Sequence, residues 1–419
     1  MINLYPHQSE ALRLTEGKNK VAYYLDMGLG KTFVGAEKMR QLGGKINLII
    51  CQKSKVSDWI EHYYLNYGFD IITFNLTADL QYQLFFTGYS SLPLVGIINY
   101  DLIFRRPELL KVQFDTIMLD ESSLIQNETS KRSRTILKRL KHKNCILLSG
   151  TPTGGKYEKL WSQCQLLGWD ISKKAYWDTY VNYTVDSSNG FPLTRVFGYK
   201  NVNRLKRKLR EYGAVFMKSD EVFNLPTQSD LNIYCQVCKE YNKFQKTSIV
   251  KYKDREYIGD TTLTKLLYSR QLCGYSKTYK FRDLVDSTDD RLIVFYNFDF
   301  ELEILKEICK DRPISIINGK IKDLSAYDMH DNSITFIQYQ AGAMGLNLQK
   351  ANKIIYYTPP LSSELFEQSK KRIHRIGQNK TCFYYYLICI NTVEEKIYST
   401  LAMRRDYTER LFENDCTGK

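Results

Sequence analysis

Three groups of residues in this chain have the types and spacing to act on a phosphate. The first is Leu25-Asp26-Met27-Gly28-Leu29-Gly30-Lys31-Thr32, with an apolar run over 21–25 before it and a helix-like pattern over 32–42 after it. A strand, a glycine turn and a helix start, in that order, form a phosphate cradle. The glycines let backbone N–H groups approach oxygens, and the helix N-terminus adds partial positive charge. Met27, Gly28, Leu29 and Gly30 would form its wall, Lys31 would sit on the β- and γ-phosphates, and the Thr32 hydroxyl would face Mg²⁺. The fuller form of such a loop has another glycine where Leu25 stands, so the stretch alone also reads as a glycine turn capping a helix.

The second group is Asp120-Glu121-Ser122-Ser123, at the end of an apolar run over 116–119. A carboxylate at the C-terminal edge of a parallel strand faces the crevice where ligands bind. Asp120 is the candidate for Mg²⁺, and Glu121 for orienting and deprotonating an attacking water. Most adjacent acidic pairs are simply solvated; one that ends a buried strand downstream of a phosphate loop says more. Leu148-Ser149-Gly150-Thr151-Pro152 ends another apolar run, and its hydroxyls can link the acidic pair to a neighbouring element. An ordinary strand exit looks the same. The third group lies in 368–378, where Arg372 and Arg375 are three apart. On a helix they share a face, and two guanidiniums there can brace a transferring γ-phosphate. A solvated basic helix or a nucleic-acid patch is the plainer reading, and for His374 a structural hydrogen bond is.

The elements that must hold these groups are legible as short apolar runs. Candidate strands fall at 21–25, 46–51, 71–74, 94–99, 116–119 and 145–148, and again at 292–296, 314–317, 334–338, 354–357 and 382–390. Continuous apolar runs mark parallel strands buried on both faces, and strands alternating with helices imply open α/β sheets. Helical patterns cover 56–65, with Trp59 on the apolar side, 201–212, with Leu205 and Leu209 inward, and 393–412. Between the two strand series, 170–227 is mixed and aromatic, and 228–287 reads as helical runs.

The chain has 419 residues, room for two or three domains, with 43% hydrophobic and 25% charged residues. No apolar run reaches the ~20 residues of a spanning helix, and no leader sequence opens the chain, so a cytoplasmic protein without membrane contact is expected. The 10 cysteines are scattered apart from Cys235 and Cys238. That pair has no second half, which argues against zinc and for reduced thiols. A formal net charge of +14 suits a polyanionic partner, nucleic acid first, although a composition rich in Lys, Tyr, Ile and Asn also follows from an AT-rich genome.

Taken in order, Met27-Gly28-Leu29-Gly30-Lys31-Thr32, Leu119-Asp120-Glu121, Leu148-Ser149-Gly150-Thr151-Pro152, Gly345-Leu346-Asn347-Leu348 and His374-Arg375-Ile376-Gly377-Gln378 resemble the Swi/Snf-type branch of superfamily-two helicase-like ATPases. Fainter likenesses lie at Tyr5-Pro6-His7-Gln8, Asn99-Tyr100, Phe216-Met217-Lys218, Arg270-Gln271-Leu272-Cys273 and 392–397. The match runs nearly end to end. It implies two RecA-like α/β lobes, 1–226 and 227–419, with ATP and Mg²⁺ in the cleft between them. Carried over, Gln8 would read adenine, Gly345 would line the nucleotide, and Arg372 and Arg375 would be arginine fingers. Contacts to the DNA backbone would come from Lys53, Asn99, Tyr100, Asn318, Lys320, Gln340 and Gly342.

The resemblance further implies a DNA-dependent ATPase that tracks along duplex DNA, resembling the compact forms of phages and bacteria and acting as a monomer. A separately encoded nuclease or recombination partner would fit, as would a host cytoplasm if the gene is a phage's. A strand-separating helicase, a branch-migration enzyme or an ATP-switched nucleic-acid-binding protein could be built from the same parts. Three departures stand out. Leu25-Asp26-Met27 stands where the family usually has Asp-Glu-Met, the acidic motif ends Ser122-Ser123 where the family commonly has Ala-His, and Gln338-Tyr339 replace a small-hydroxyl pair.

Overall fold

The apolar runs become the interiors of two parallel sheets. The computed structural model describes residues 2–74, 92–186, 192–253, 255–342 and 346–412. The chain forms two compact units, residues 1–222 with 406–419, and residues 223–405.

In the first unit the strands are β1 (Lys20–Leu25), β2 (Ile46–Cys51), β3 (Asp70–Thr73), β4 (Leu94–Asn99), β5 (Thr116–Asp120), β6 (Asn144–Leu148), β7 (Val181–Asp186), β8 (Leu193–Tyr199) and β9 (Ala214–Met217). Seven of them form one sheet in the order β3-β4-β2-β5-β6-β1-β9. Every pairing in it is parallel. Alternate residues of one strand face opposite sides. Ala22 and Tyr24 of β1 join one core cluster, while Val21, Tyr23 and Leu25 are just as buried on the other face. A sheet covered on both faces needs strands that are apolar throughout, which is why these runs are legible. Because all seven strands run one way, the phosphate loop after β1, the Ser149 turn after β6 and the acidic loop after β5 emerge side by side at one edge.

The second unit holds β10 (Gln228–Cys235), β11 (Ile249–Tyr252), β12 (Arg255–Ile258), β13 (Leu292–Tyr296), β14 (Ile314–Ile317), β15 (Lys322–Asp323), β16 (Ile334–Gln338), β17 (Lys353–Tyr356) and β18 (Cys382–Cys389). Its main sheet runs β10-β18-β17-β13-β16-β14-β15, parallel except at β15. Leu292, Val294 and Tyr296 of β13 point into one cluster, and Ile293 and Phe295 into another. Both units are thus α/β, each built on a largely parallel sheet.

The stretch 228–287 departs from the helical expectation. It opens with β10, which pairs with β18 from Gln228 opposite Cys382 to Cys235 opposite Cys389, and it contains the antiparallel β11–β12 hairpin. As a sheet-edge strand, β10 is largely exposed and carries Gln228, Ser229, Asp230 and Asn232, so no apolar run marks it. A second hairpin, β7–β8, lies inside the mixed segment 170–227.

Candidate nucleotide-binding site

Beyond β1 the chain turns on two glycines in the left-handed region, Gly28 at φ 90° and Gly30 at φ 74°. Leu29 between them is fully buried and anchors the loop to the core. Gly30 caps the helix Lys31–Leu42, and its carbonyl accepts from the N–H groups of Phe33 and Val34. Asp26 braces the loop's first half: Oδ1 accepts from the Met27 N–H at 2.9 Å and Oδ2 from the Ser219 hydroxyl at 2.6 Å.

The N-terminal motif braces the second half. Gln8 is buried; its Oε1 accepts from the Tyr5 N–H at 3.0 Å, and its Nε2 donates to the Leu29 carbonyl at 3.2 Å. His7 Nε2 lies 3.0 Å from the same carbonyl, which can only accept, so that nitrogen carries the proton. A Cβ on Gly30 would lie 2.2 Å from Gln8 Nε2. The position therefore requires glycine for backbone angle and for space alike.

The Lys31 ammonium donates to the Leu25 carbonyl at 3.2 Å, and a Cβ on Gly150 would lie 3.1 Å from it. It thus sits between the end of β1 and the turn after β6. Thr32, on the helix's first turn, is half-buried. Two glycines that clear the backbone, a lysine beside them and a carboxylate at a strand end two strands away are a set that fits a triphosphate with its magnesium.

Asp120 ends β5, half-buried, and accepts from the Trp59 indole N–H at 2.8 Å. Burial pushes its carboxyl above the usual range, while the Trp59 hydrogen bond and the charges of Lys31 and Lys55 oppose that rise. Glu121 follows with φ 57°, a left-handed conformation rare for a side-chain-bearing residue and costing on the order of 1 kcal/mol. The surroundings hold it there. The Tyr100 hydroxyl donates to the Asp120 carbonyl at 3.0 Å, the Leu124 N–H bonds the Glu121 carbonyl at 3.0 Å, and the Ser149 hydroxyl donates to Glu121 Oε2 at 3.3 Å. The Ser149 turn thereby links to the acidic pair. Ser122 and Ser123 are both buried.

In the second unit the 368–378 stretch corrects the helical expectation. The helix Ser363–Lys370 stops before either arginine, and 371–377 run in turns. Bonds from Arg372 N–H to the Ser369 carbonyl and from Ile373 N–H to the Lys370 carbonyl tighten the exit, and the Arg372 carbonyl instead accepts from the Leu348 N–H at 3.1 Å. Arg372 is buried, and Arg375, half-buried, bonds Asn347 Oδ1. His374 lies 2.9 Å from the Pro226 carbonyl, in keeping with a structural hydrogen bond. Gln378 clamps the stretch: its Nε2 donates to the carbonyls of Gln349, Ala351 and Ile373, and its Oε1 accepts from the Lys380 N–H. Gly345 lies outside the described residues.

Of the residues expected to touch nucleic acid, Lys53, Lys320 and Gln340 are exposed, and Gly342 ends the short helix Tyr339–Gly342. Asn318 shapes its own turn, accepting from the N–H groups of Lys320 and Ile321 at 2.8 Å. Asn99 and Tyr100 differ from the expectation of open contact residues: both are buried, the Tyr100 hydroxyl donates to the acidic loop, and Asn99 Oδ1 accepts from the Asp101 N–H at 3.0 Å. Gln338 and Tyr339 are tied to neighbouring strand ends of the second sheet. Gln338 Nε2 donates to the Asn297 carbonyl at 3.2 Å, and the Tyr339 hydroxyl to the Thr358 carbonyl at 3.1 Å.

Sequence reasoning missed the parts played by Trp59 and Asp26. A buried indole N–H needs an acceptor, which marks Trp59 as more than core; Asp26 carries no signal of that kind. Among the described residues, Cys273, Cys389 and Glu394 bring possible metal-ligating atoms within 4.8 Å of one another. The cation that Glu394 faces there is the Lys277 ammonium, at 2.6 Å.

Residues 24–277 match the SNF2-related domain family, and residues 276–377 match the helicase conserved C-terminal domain. The ISWI chromatin-remodeling complex ATPase ISW1 of Saccharomyces cerevisiae is 24% identical over 94% of this chain and 39% of its own length. An uncharacterized ATP-dependent helicase, YqhH, of Bacillus subtilis is 24% identical over 94% of this chain and 77% of its own. The chain thus spans about two fifths of the yeast relative, and the same share of the SWI/SNF-related matrix-associated actin-dependent regulator of chromatin subfamily A member 1 of Mus musculus, to which it is 23% identical. A solved Sulfolobus solfataricus SWI2/SNF2 ATPase core in complex with dsDNA aligns with a TM-score of 0.44 at 20% identity, covering 97% of this chain and 92% of that one. With the SNF2-related domain matched over residues 24–277, more than half of its length, the chain belongs to the SNF2-related family.

Proposed function

We propose that this chain is a DNA-dependent ATPase that moves along duplex DNA without strong sequence preference. The observation that carries the proposal is the convergence of Lys31, Glu121 and Ser149 on adjoining strand ends of one parallel sheet. The backbone at 27–30 and Lys31 would hold the phosphates, and Gln8 would support adenine recognition from its place against the loop. Thr32 and Asp120 would hold Mg²⁺, which when bound offsets charge on the phosphate oxygens. Glu121 orients a water and takes its proton. Hydrolysis is then a matter of position and charge, with no covalent step through the protein. Lys53, Lys320 and Gln340 offer exposed donors for a phosphate backbone.

The decisive measurement is the ATPase rate with duplex, single-stranded and branched DNA at matched salt, beside triplex and strand displacement. A duplex tracker clears a third strand and leaves the duplex intact; unwinding would replace this reading with a strand-separating helicase. Tight ATP-dependent DNA binding with negligible turnover would replace it with a switch. Glu121→Gln should cut DNA-stimulated turnover by about a hundredfold or more while nucleotide still binds. Undiminished turnover removes Glu121 from the role.

A further inference from the structure

One side chain ties together three of the segments around the phosphate site. Gln163 lies on the helix Trp161–Leu166 and is fully buried. Its Nε2 donates to the Pro152 carbonyl at 2.8 Å. Its Oε1 accepts from the Ser122 hydroxyl at 2.8 Å and from the Tyr24 hydroxyl at 2.9 Å. Both hydroxyl-bearing residues are themselves fully buried.

The orientation of the amide follows from chemistry. A carbonyl only accepts, so the NH₂ must face Pro152 and the oxygen must face the two hydroxyls. Both hydroxyls then donate, and the two lone pairs of Oε1 are filled. A buried polar group without a partner costs on the order of 1–3 kcal/mol, and leucine at this position would strand the Pro152 carbonyl and both hydroxyls, so the position calls for an amide that joins all three.

What the amide adds is a closed circuit. Ser122 follows Glu121, whose backbone is held left-handed. The Glu121 carboxylate accepts from the Ser149 hydroxyl at 3.3 Å, and that hydroxyl oxygen also accepts from the Thr151 N–H at 3.2 Å. Pro152 follows Thr151, and its carbonyl returns through Gln163 to Ser122. The acidic loop and the Ser149 turn are therefore fastened at two points. Tyr24 adds the strand that enters the phosphate loop at Leu25.

We propose that Gln163 is a positioning residue that holds the acidic loop, the Ser149 turn and the end of β1 in one register, so that Glu121 stays aimed as the site works. The inference rests on the proposed ATPase reading and extends it to a residue that touches neither nucleotide nor magnesium. It also gives Ser122, which stands where the family commonly has alanine, a specific task.

The test is steady-state ATP hydrolysis by the full chain with duplex DNA, for the wild type, Gln163→Leu, Ser122→Ala and the double variant, each with its thermal midpoint recorded. A misaimed water-activating group lowers kcat and leaves substrate binding alone. Gln163→Leu should lower kcat by about tenfold, with KM for ATP changed by less than about twofold. Ser122→Ala should lower kcat by a smaller factor, and the double variant should be no slower than Gln163→Leu, because the two act through one bond. A folded Gln163→Leu protein with wild-type kcat, or with its whole effect in KM, overturns the positioning role. If Gln163→Leu does not fold, Ser122→Ala decides: wild-type kcat there overturns it too. A wild-type chain that hydrolyses no ATP with any DNA overturns the ATPase reading itself, and that result is distinct from the variant outcomes.

Discussion

Individual residues set the site's tolerances. Gly30 is the sharpest case, with φ 74° and a Cβ that would meet Gln8 Nε2 at 2.2 Å. Gly30→Ala should therefore displace the Gln8 amide, break its bond to the Leu29 carbonyl and destabilise the loop by about 1–2 kcal/mol from the backbone alone. The expected outcome is loss of nucleotide binding at concentrations that saturate the wild type, read by fluorescence of a labelled nucleotide; unchanged affinity would show that the loop rebuilds around a methyl. At this scale the candidate residues were legible for a simple reason. Glycines before a lysine, and carboxylates at the end of an apolar run, are signatures that one strand and its exit carry by themselves. Trp59 and Tyr100 were not, because their partners lie on strand ends that the sheet brings beside them, β5 for both side chains.

At the scale of elements, the helix Thr262–Tyr275 and the long helix Val393–Phe412 are joined to the second sheet by a buried ion pair just past one and just inside the other. Lys277 is fully buried and spends its three ammonium protons on the Tyr357 carbonyl at 2.6 Å, the Leu387 carbonyl at 2.8 Å and Glu394 Oε1 at 2.6 Å. Burial pulls its pKa down, and the Glu394 carboxylate more than reverses this, so it is held above the ordinary lysine value. Glu394 in turn accepts from the Cys389 N–H at 3.0 Å, where β18 ends. Lys277→Met should destabilise the protein by about 3–5 kcal/mol, because it strands a buried carboxylate. Denaturant unfolding measures this, and a loss below about 1 kcal/mol would mean that Glu394 finds another partner or a proton. The same scale holds the clearest failure of sequence reading. The strands buried on both faces declare themselves as apolar runs, but β10 is recognisable only by its partner, β18, which lies some 150 residues on.

For the whole molecule, the formal net charge of +14 has a measurable consequence under the proposed function. If grip is on backbone phosphates, raising salt from about 50 to about 200 mM should weaken duplex binding on the order of a thousandfold. Scrambling the duplex sequence should change affinity little. Lys53→Ala or Lys320→Ala should each reduce the slope of log affinity against log salt by about one. Filter binding or anisotropy over a salt series reads both quantities, and a flat salt dependence with strong sequence preference would rule out a backbone tracker.

The sequence alone determined the glycine turn before Lys31, the acidic strand end, most of the strands of both sheets and the family, since each is written in a few neighbouring residues whose periodicity or chemistry is local. Tertiary structure alone decided how those parts are braced. It ended the helix at Lys370 short of Arg372 and Arg375, turned Tyr100 inward onto the acidic loop and routed three hydrogen bonds through Gln163. The physical reason is that a buried hydrogen bond joins whatever the sheet order makes adjacent. In a parallel sheet, neighbours are set by long crossovers, so β1 lies between β6 and β9, and nothing in the spacing of residues along the chain states that order.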